Sequence, residues 1–204
     1  DVQISREFIG EGTKLNPYRI TCLGDYKKLQ SDINTCSVSD GYEGKYFRLV
    51  TDLDFTRFAE IDPIGGNTLL PDESGLTAFR GYFDGMGHQL IGLKINAGRN
   101  SNVGVFGAVE GATIENLVKS GGYVVATGTN VAGLVGRAMN GSAVRNCYQT
   151  SPVSGNRVDD TVGGIAGFCE GGSEVTNCYN IGTVNRPFDA KEIAAEELEA
   201  MSAR

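Results

Sequence analysis

A chain of 204 residues in which 40% are hydrophobic and 21% charged has the composition of a folded domain, too apolar for disorder and long enough to bury a core. Its net charge of -7, without any clustered run of lysine and arginine, removes the attraction that nucleic acid or an anionic membrane surface would need. No apolar run approaches the roughly 20 residues that span a bilayer, so membrane insertion is not expected.

Residues 1–15 show no periodic pattern and read as a leader or linker, and the first residue, Asp rather than Met, suggests a processed or trimmed chain. From Asp25 to Asn34, DYKKLQSDIN places Tyr26, Leu29 and Ile33 at helical spacing. The spacing predicts a helix over 25–34. Cys22 and Cys36 flank it, and its length of about 15 Å keeps them apart unless the flanking chain folds back. The chain has five cysteines, so at least one thiol has no partner within it.

Further on, Val50-Thr51-Asp52-Leu53-Asp54-Phe55 and Leu90-Ile91-Gly92-Leu93-Lys94-Ile95 share a grammar, in which a turn-forming residue interrupts alternating apolar positions. Between them, Glu60 to Ala78 is rich in Gly, Pro and Asp and reads as a long surface excursion. Three near-copies follow: NVGVFGAVEGATIENLV from Asn102, NVAGLVGRAMNGSAVRNCY from Asn130 and TVGGIAGFCEGGSEVTNCYN from Thr161. Each has two glycines three apart, then an aliphatic residue followed two later by Asn. Asn116, Asn146 and Asn177 recur at spacings of 30 and 31 residues, a period typical of stacked repeats.

The third position of this grammar is Asp52, Gly92, Asn116, Asn146 and Asn177. These residue types tolerate the left-handed backbone region, so a corner ladder is expected at these five positions. Three further rows would line the faces: Val103, Val131, Val162 with Val105, Leu134, Ile165 beside them; Ile114, Val144, Val175; and Val125, Val153, Val184. The glycine and β-branched content of the repeats disfavours a βαβ alternative. The predicted fold is all-β: a right-handed parallel β-helix, or solenoid, of about five coils over residues 16–185, with short capping helices at its ends. The second of these helices is expected within 186–204, where Asp189 and Glu192 make an acidic capping box and Ala194, Leu198 and Met201 share a face. It would cap the last coil or lead to another domain.

Gly133-Leu134-Val135-Gly136, with the variants Gly164-Ile165-Ala166-Gly167 and Gly104-Val105-Phe106-Gly107, resembles the GLUG motif of bacterial surface proteins. PYRI from Pro17, YEGKYFRLVTDLDF from Tyr42 and FRGYFDGMGHQLIGLKI from Phe79 resemble the segments that precede such repeats. The resemblance implies a module of a larger secreted or cell-surface protein, adhesin-like or associated with immunoglobulin A proteases. It carries no catalytic residue set.

Parallel β-helices also house polysaccharide lyases and glycoside hydrolases, which gather carboxylates on one face. Of the equivalent positions Glu115, Arg145, Thr176 and Lys119, Gln149, Asn180, neither row gathers acids. Asp52 and Asp54 alternate as a calcium site would require, but Asp52 already serves a corner. Asp84, Asp159 and Asp160 sit in turn sequences. His88 is the only histidine, so no multi-histidine metal site can form within the chain, and a structural role is expected for it. No metal or cofactor is expected.

Cys147 and Cys178 share the phase of Leu117 and are expected in the core, which sends Tyr148 and Tyr179 outward about 4.8 Å apart as a candidate binding pair. The sequence therefore predicts a non-catalytic module for adhesion or spacing, with an extracellular glycan or a host or matrix protein as partner. A carbohydrate-active enzyme, or its carbohydrate-binding appendage, is the alternative.

Overall fold

The computed structural model describes residues 7–66, 75–155 and 161–185. Strand pairing within every sheet is parallel, each strand lying beside its counterpart one turn of chain later, and the result is a β-solenoid of about five turns. A front wall stacks Tyr18–Ile20, Tyr46–Leu49, Tyr82–Asp84, Thr113–Glu115, Ala143–Arg145 and Glu174–Thr176. A side wall stacks Leu53–Asp54, Gln89–Ile91, Val118–Ser120, Tyr148–Gln149 and Tyr179–Asn180. A back wall stacks Lys94–Asn96, Tyr123–Val125, Val153–Ser154 and Val184–Asn185. Two shorter stacks close the turn, Val131–Ala132 with Val162–Gly163 and Phe106–Glu110 with Val135–Met139 and Ala166–Cys169.

Period-two alternation sets what points inward. On the front wall Phe47, Phe83, Ile114, Val144 and Val175 are in register. Val103, Val131 and Val162 stack on the short face. On the back wall the inward row is Val124, Val153, Val184, and Val125 pairs instead with Ser154. The predicted row was thus one residue out at Val125.

The paired glycines hold neighbouring turns backbone against backbone. A Cβ on Gly107 would sit 2.2 Å from the Gly65 carbonyl oxygen, one on Gly136 2.4 Å from the Val103 nitrogen, and one on Gly167 2.7 Å from the Gly136 oxygen. Real Cβ atoms do not approach so closely, so the motif encodes contact between turns.

The corners are left-handed. Asn116, Asn146 and Asn177 have φ of 53°, 54° and 51°. Asn116 Nδ2 donates to Asp84 Oδ1 at 2.9 Å, and Asn146 Nδ2 to Asn116 Oδ1 at 3.4 Å. Two of the five expected corner residues lie elsewhere. Asp52 is not left-handed; it faces Gln89, whose N–H donates to its carboxylate at 3.0 Å. Gly92, at φ 68°, turns the next corner, from the side wall to the back wall, where its N–H donates to the Ser120 oxygen. The corner in phase with Asn116 is the longer Gly85-Met86-Gly87, with Gly85 N–H donating to Glu115 O and Gly87 N–H to Asn116 O. A second asparagine corner links Asn130 Nδ2 to Asn102 Oδ1 at 2.7 Å, with φ of 58° at both residues.

The helix α1, Leu23–Asn34, buries Tyr26, Leu29 and Ile33. It lids the first turn, with the Tyr26 ring 5.1 Å from that of Phe55. The Asp25 carboxylate accepts from the Thr21 N–H and hydroxyl at 2.8 and 2.6 Å, fixing the strand-to-helix joint. From Glu7 on, the supposed leader is packed: Phe8 is buried among Tyr18, Tyr42 and Phe47. The supposed surface excursion enters the core at Ile64, which is fully buried and bridges to Phe106. Asp159, Asp160 and the helix expected in 186–204 lie outside the described residues.

One inward column turns polar. Leu53, Leu90, Lys119, Gln149 and Asn180 are in register on the side wall. Lys119, Gln149 and Asn180 are therefore a row, as their phase predicts, with Lys119 and Gln149 buried inside the solenoid and Asn180 exposed at the last described turn. Lys119 is fully buried, and its Nζ donates to Leu93 O at 3.0 Å, Gly121 O at 3.2 Å and Ser151 Oγ at 2.5 Å. Burial lowers its pKa from 10.5 to about 7.

Candidate functional site

Residues that alternate outward on the front wall form two rows. The first is Tyr46, Tyr82, Thr113, Ala143, Glu174, and the second Arg48, Asp84, Glu115, Arg145, Thr176. Parallel in-register pairing places like positions one strand spacing apart. Tyr46 and Tyr82 use that spacing to stack, with centroids 4.3 Å apart and planes within 3°. Tyr82 is 38% exposed.

The second row is an ion ladder. Arg48 Nε approaches Asp84 Oδ2 at 3.8 Å, and Arg145 Nε approaches Glu115 Oε2 at 2.8 Å. The other rim of the face carries Arg80, whose Nε donates to Glu110 Oε2 at 2.8 Å, while Asn140 Nδ2 donates to Glu110 Oε1 at 2.8 Å. The Arg80 hydrogen bond is the main cause that lowers the Glu110 pKa. On the adjacent face Arg137 pairs with Glu170 at 2.6 Å. Asp84 and Glu115 stand on neighbouring strands; Glu115 accepts from Arg145 Nε at 2.8 Å, whereas Asp84 accepts from Asn116 Nδ2 and the Met86 N–H, both at 2.9 Å.

Tyr148 and Tyr179 are paired in register on the side wall below Val118. Tyr179 is 70% exposed and Tyr148 half-buried. The parallel ring stack on an outer face is at Tyr46 and Tyr82, which sequence reasoning did not single out. Its signal was present: Tyr46-Phe47-Arg48 and Tyr82-Phe83-Asp84 repeat an aromatic-out, aromatic-in, charge-out triplet.

Behind the tyrosine pair, Cys147 is buried and its N–H donates to the half-buried Cys178 Sγ at 3.4 Å. The side-chain hydrogen bond between the two thiols lowers the pKa of Cys178 and, together with burial, raises that of Cys147. His88 Nδ1 lies 3.0 Å from Asp52 Oδ1 at the edge of the side wall, and the hydrogen bonds to Asp52 from Gln89 and His88 lower its pKa. Among the described residues no group of three or more His, Cys, Asp or Glu side chains is arranged to hold a metal ion, and no helix is long and apolar enough to cross a membrane.

No family model matches the chain. It is 32% identical over 120 residues to a protein of Evansella cellulosilytica provisionally named a Gly-rich membrane protein, a match covering 58% of this chain and 13% of that one. It is 31% identical over 161 residues to halomucin of Haloquadratum walsbyi, covering 76% of this chain and 2% of that one. The chain thus spans a small fraction of both relatives. Among solved structures, a Bacteroides ovatus protein provisionally named an immunoglobulin A1 protease aligns over 86% of this chain and 60% of that one, with a TM-score of 0.55 and 21% identity. At that identity the likeness is one of architecture, and what the chain shares with that protein is the fold.

Proposed function

We propose that the chain is a non-catalytic GLUG-type repeat module of a longer secreted or cell-surface protein, presenting flat solenoid faces for adhesion. The observation that carries this reading is the outer face of the front wall, where an exposed tyrosine stack lies between arginine–carboxylate pairs that cancel one another's charge. A rigid, neutral face rich in hydrogen-bonding groups suits reversible recognition of a glycan or a matrix protein. The paired state of Asp84, Glu115 and Glu110 favours this over polysaccharide cleavage, which needs one carboxyl protonated and another poised to attack. Matches covering only 13% and 2% of the two named relatives support a role as one segment among many.

The test is an array of extracellular glycans and matrix proteins probed with the purified 204-residue chain. Saturable binding to one class is the expected result. Silence across the array would remove the adhesive role and leave spacing.

A further inference from the structure

Resting on that adhesive reading, we infer that Tyr82, Thr113 and Ala143 form a subsite for one neutral pyranose ring of a glycan.

The geometry begins with the direction of the tyrosine stack. Tyr46 and Tyr82 are in register on adjacent strands, their rings parallel within 3° and 4.3 Å apart. Strands repeat at about 4.8 Å, so the stack runs along the solenoid axis. One face of Tyr82 is covered by Tyr46. The other points toward the next strand, where Thr113 stands in register, followed by Ala143 and then Glu174. Threonine and alanine are too short to cover a phenol ring. The row therefore drops from an aromatic wall to a low floor about two strand spacings, or roughly 10 Å, wide. A pyranose standing on that floor meets the ring face at stacking distance, its weakly positive axial C–H bonds against the negative π surface.

Both rims supply hydroxyl partners. Arg80, Glu110 and Asn140 lie on one side, and Glu115 with Arg145 on the other. Each guanidinium–carboxylate pair exposes a donor and an acceptor side by side, the arrangement that two vicinal hydroxyls satisfy together. The pairing also sets the charge of the ligand. Every arginine on this floor already has a carboxylate, Arg80 with Glu110 at 2.5 Å and Arg145 with Glu115 at 2.8 Å, so an anionic sugar would have to displace one. A neutral polyol does not.

The test is an amide-resolved NMR titration of the whole chain with the methyl glycosides and linear tetrasaccharides of glucose, galactose and mannose, and with glucuronic acid as the charged control. The expected result is saturable shifts at Thr113, Ala143 and Tyr82 with at least one neutral sugar, and weaker shifts with glucuronate. Tyr82→Ala should weaken binding about tenfold. Thr113→Tyr should abolish it by continuing the ring stack onto the floor, with the melting temperature held or raised. Shifts confined to other residues, unchanged affinity in Tyr82→Ala, or stronger binding of glucuronate would each overturn the subsite. If the Thr113→Tyr variant keeps full binding on the array, the subsite falls and the adhesive reading stands; if array and titration are both silent, both fall.

Discussion

A single buried amine makes stability depend on pH. Lys119 is enclosed by neutral acceptors, with Leu93 O, Gly121 O and Ser151 Oγ around its Nζ, and burial lowers its pKa from 10.5 to about 7. Between those values the unfolded chain holds the proton and the folded chain does not, so raising the pH through that window favours folding. Below pH 7 both states carry the proton and the full cost of burying the ammonium is present, on the order of 5 kcal/mol. Lys119→Met should therefore be more stable than the parent at pH 6 in urea unfolding, with the gap closing by pH 10.5; a gap constant with pH would refute the assignment. Asn116 offers a second test. At φ 53° its replacement by Ala should cost about 2 kcal/mol, from left-handed strain and the lost hydrogen bond to Asp84, whereas Gly should cost about half as much. These corners were legible in the sequence because tolerance of the left-handed region belongs to the residue type. Asp52 was misread for the same reason, since aspartate also serves as an acceptor, and its carboxylate takes the Gln89 N–H.

At the level of the element, the paired glycines and α1 fix the ends and the pitch. Gly136→Ala would drive a Cβ to 2.4 Å from the Val103 nitrogen and 2.5 Å from the Gly107 oxygen. Because both neighbours are backbone, the turn must open, and a loss of at least 3 kcal/mol is expected. Gly141→Ala, where nothing lies within 4 Å but φ is 77°, should cost only about 1–2 kcal/mol. Chemical denaturation of the pair separates contact from conformation, and equal losses would count against the close-approach account. The glycine spacing was readable as a repeat, but not as a contact, because its cause lies one turn away in the chain. Helix α1 was readable from Tyr26, Leu29 and Ile33, which it buries. The tyrosine stack was harder to read, because the Glu60 to Ala78 segment lies between its two rings in the chain and interrupts the period near 30 residues.

For the whole molecule, stacking makes stability nearly one-dimensional, each turn supported by its neighbours. The first turn is covered by α1 and the aromatic cluster around Phe47. Within the last described turn, inward Val175 and Val184 are 39% and 38% exposed, while Val144 and Val153 one turn earlier are fully buried. Hydrogen exchange should therefore be slowest at Ile114, Val124 and Val135 and at least tenfold faster at Val175 and Val184. Uniform protection would contradict a graded stack. The architecture was legible because a period near 30 residues admits few folds; which face is presented was not, since presentation depends on how strands align across turns.

A chain made of near-copies risks docking a turn on the wrong neighbour, because a slip of one whole repeat keeps the parallel hydrogen bonds and most valine contacts. The inward column Leu53, Leu90, Lys119, Gln149, Asn180 removes that degeneracy. A slipped chain would set the lysine amine where a leucine belongs, away from Ser151, and leave the Gln149 amide without Asn180, its partner at 2.7 Å. The polar side chains inside the solenoid thus number its turns in order, and only the chain counted correctly closes.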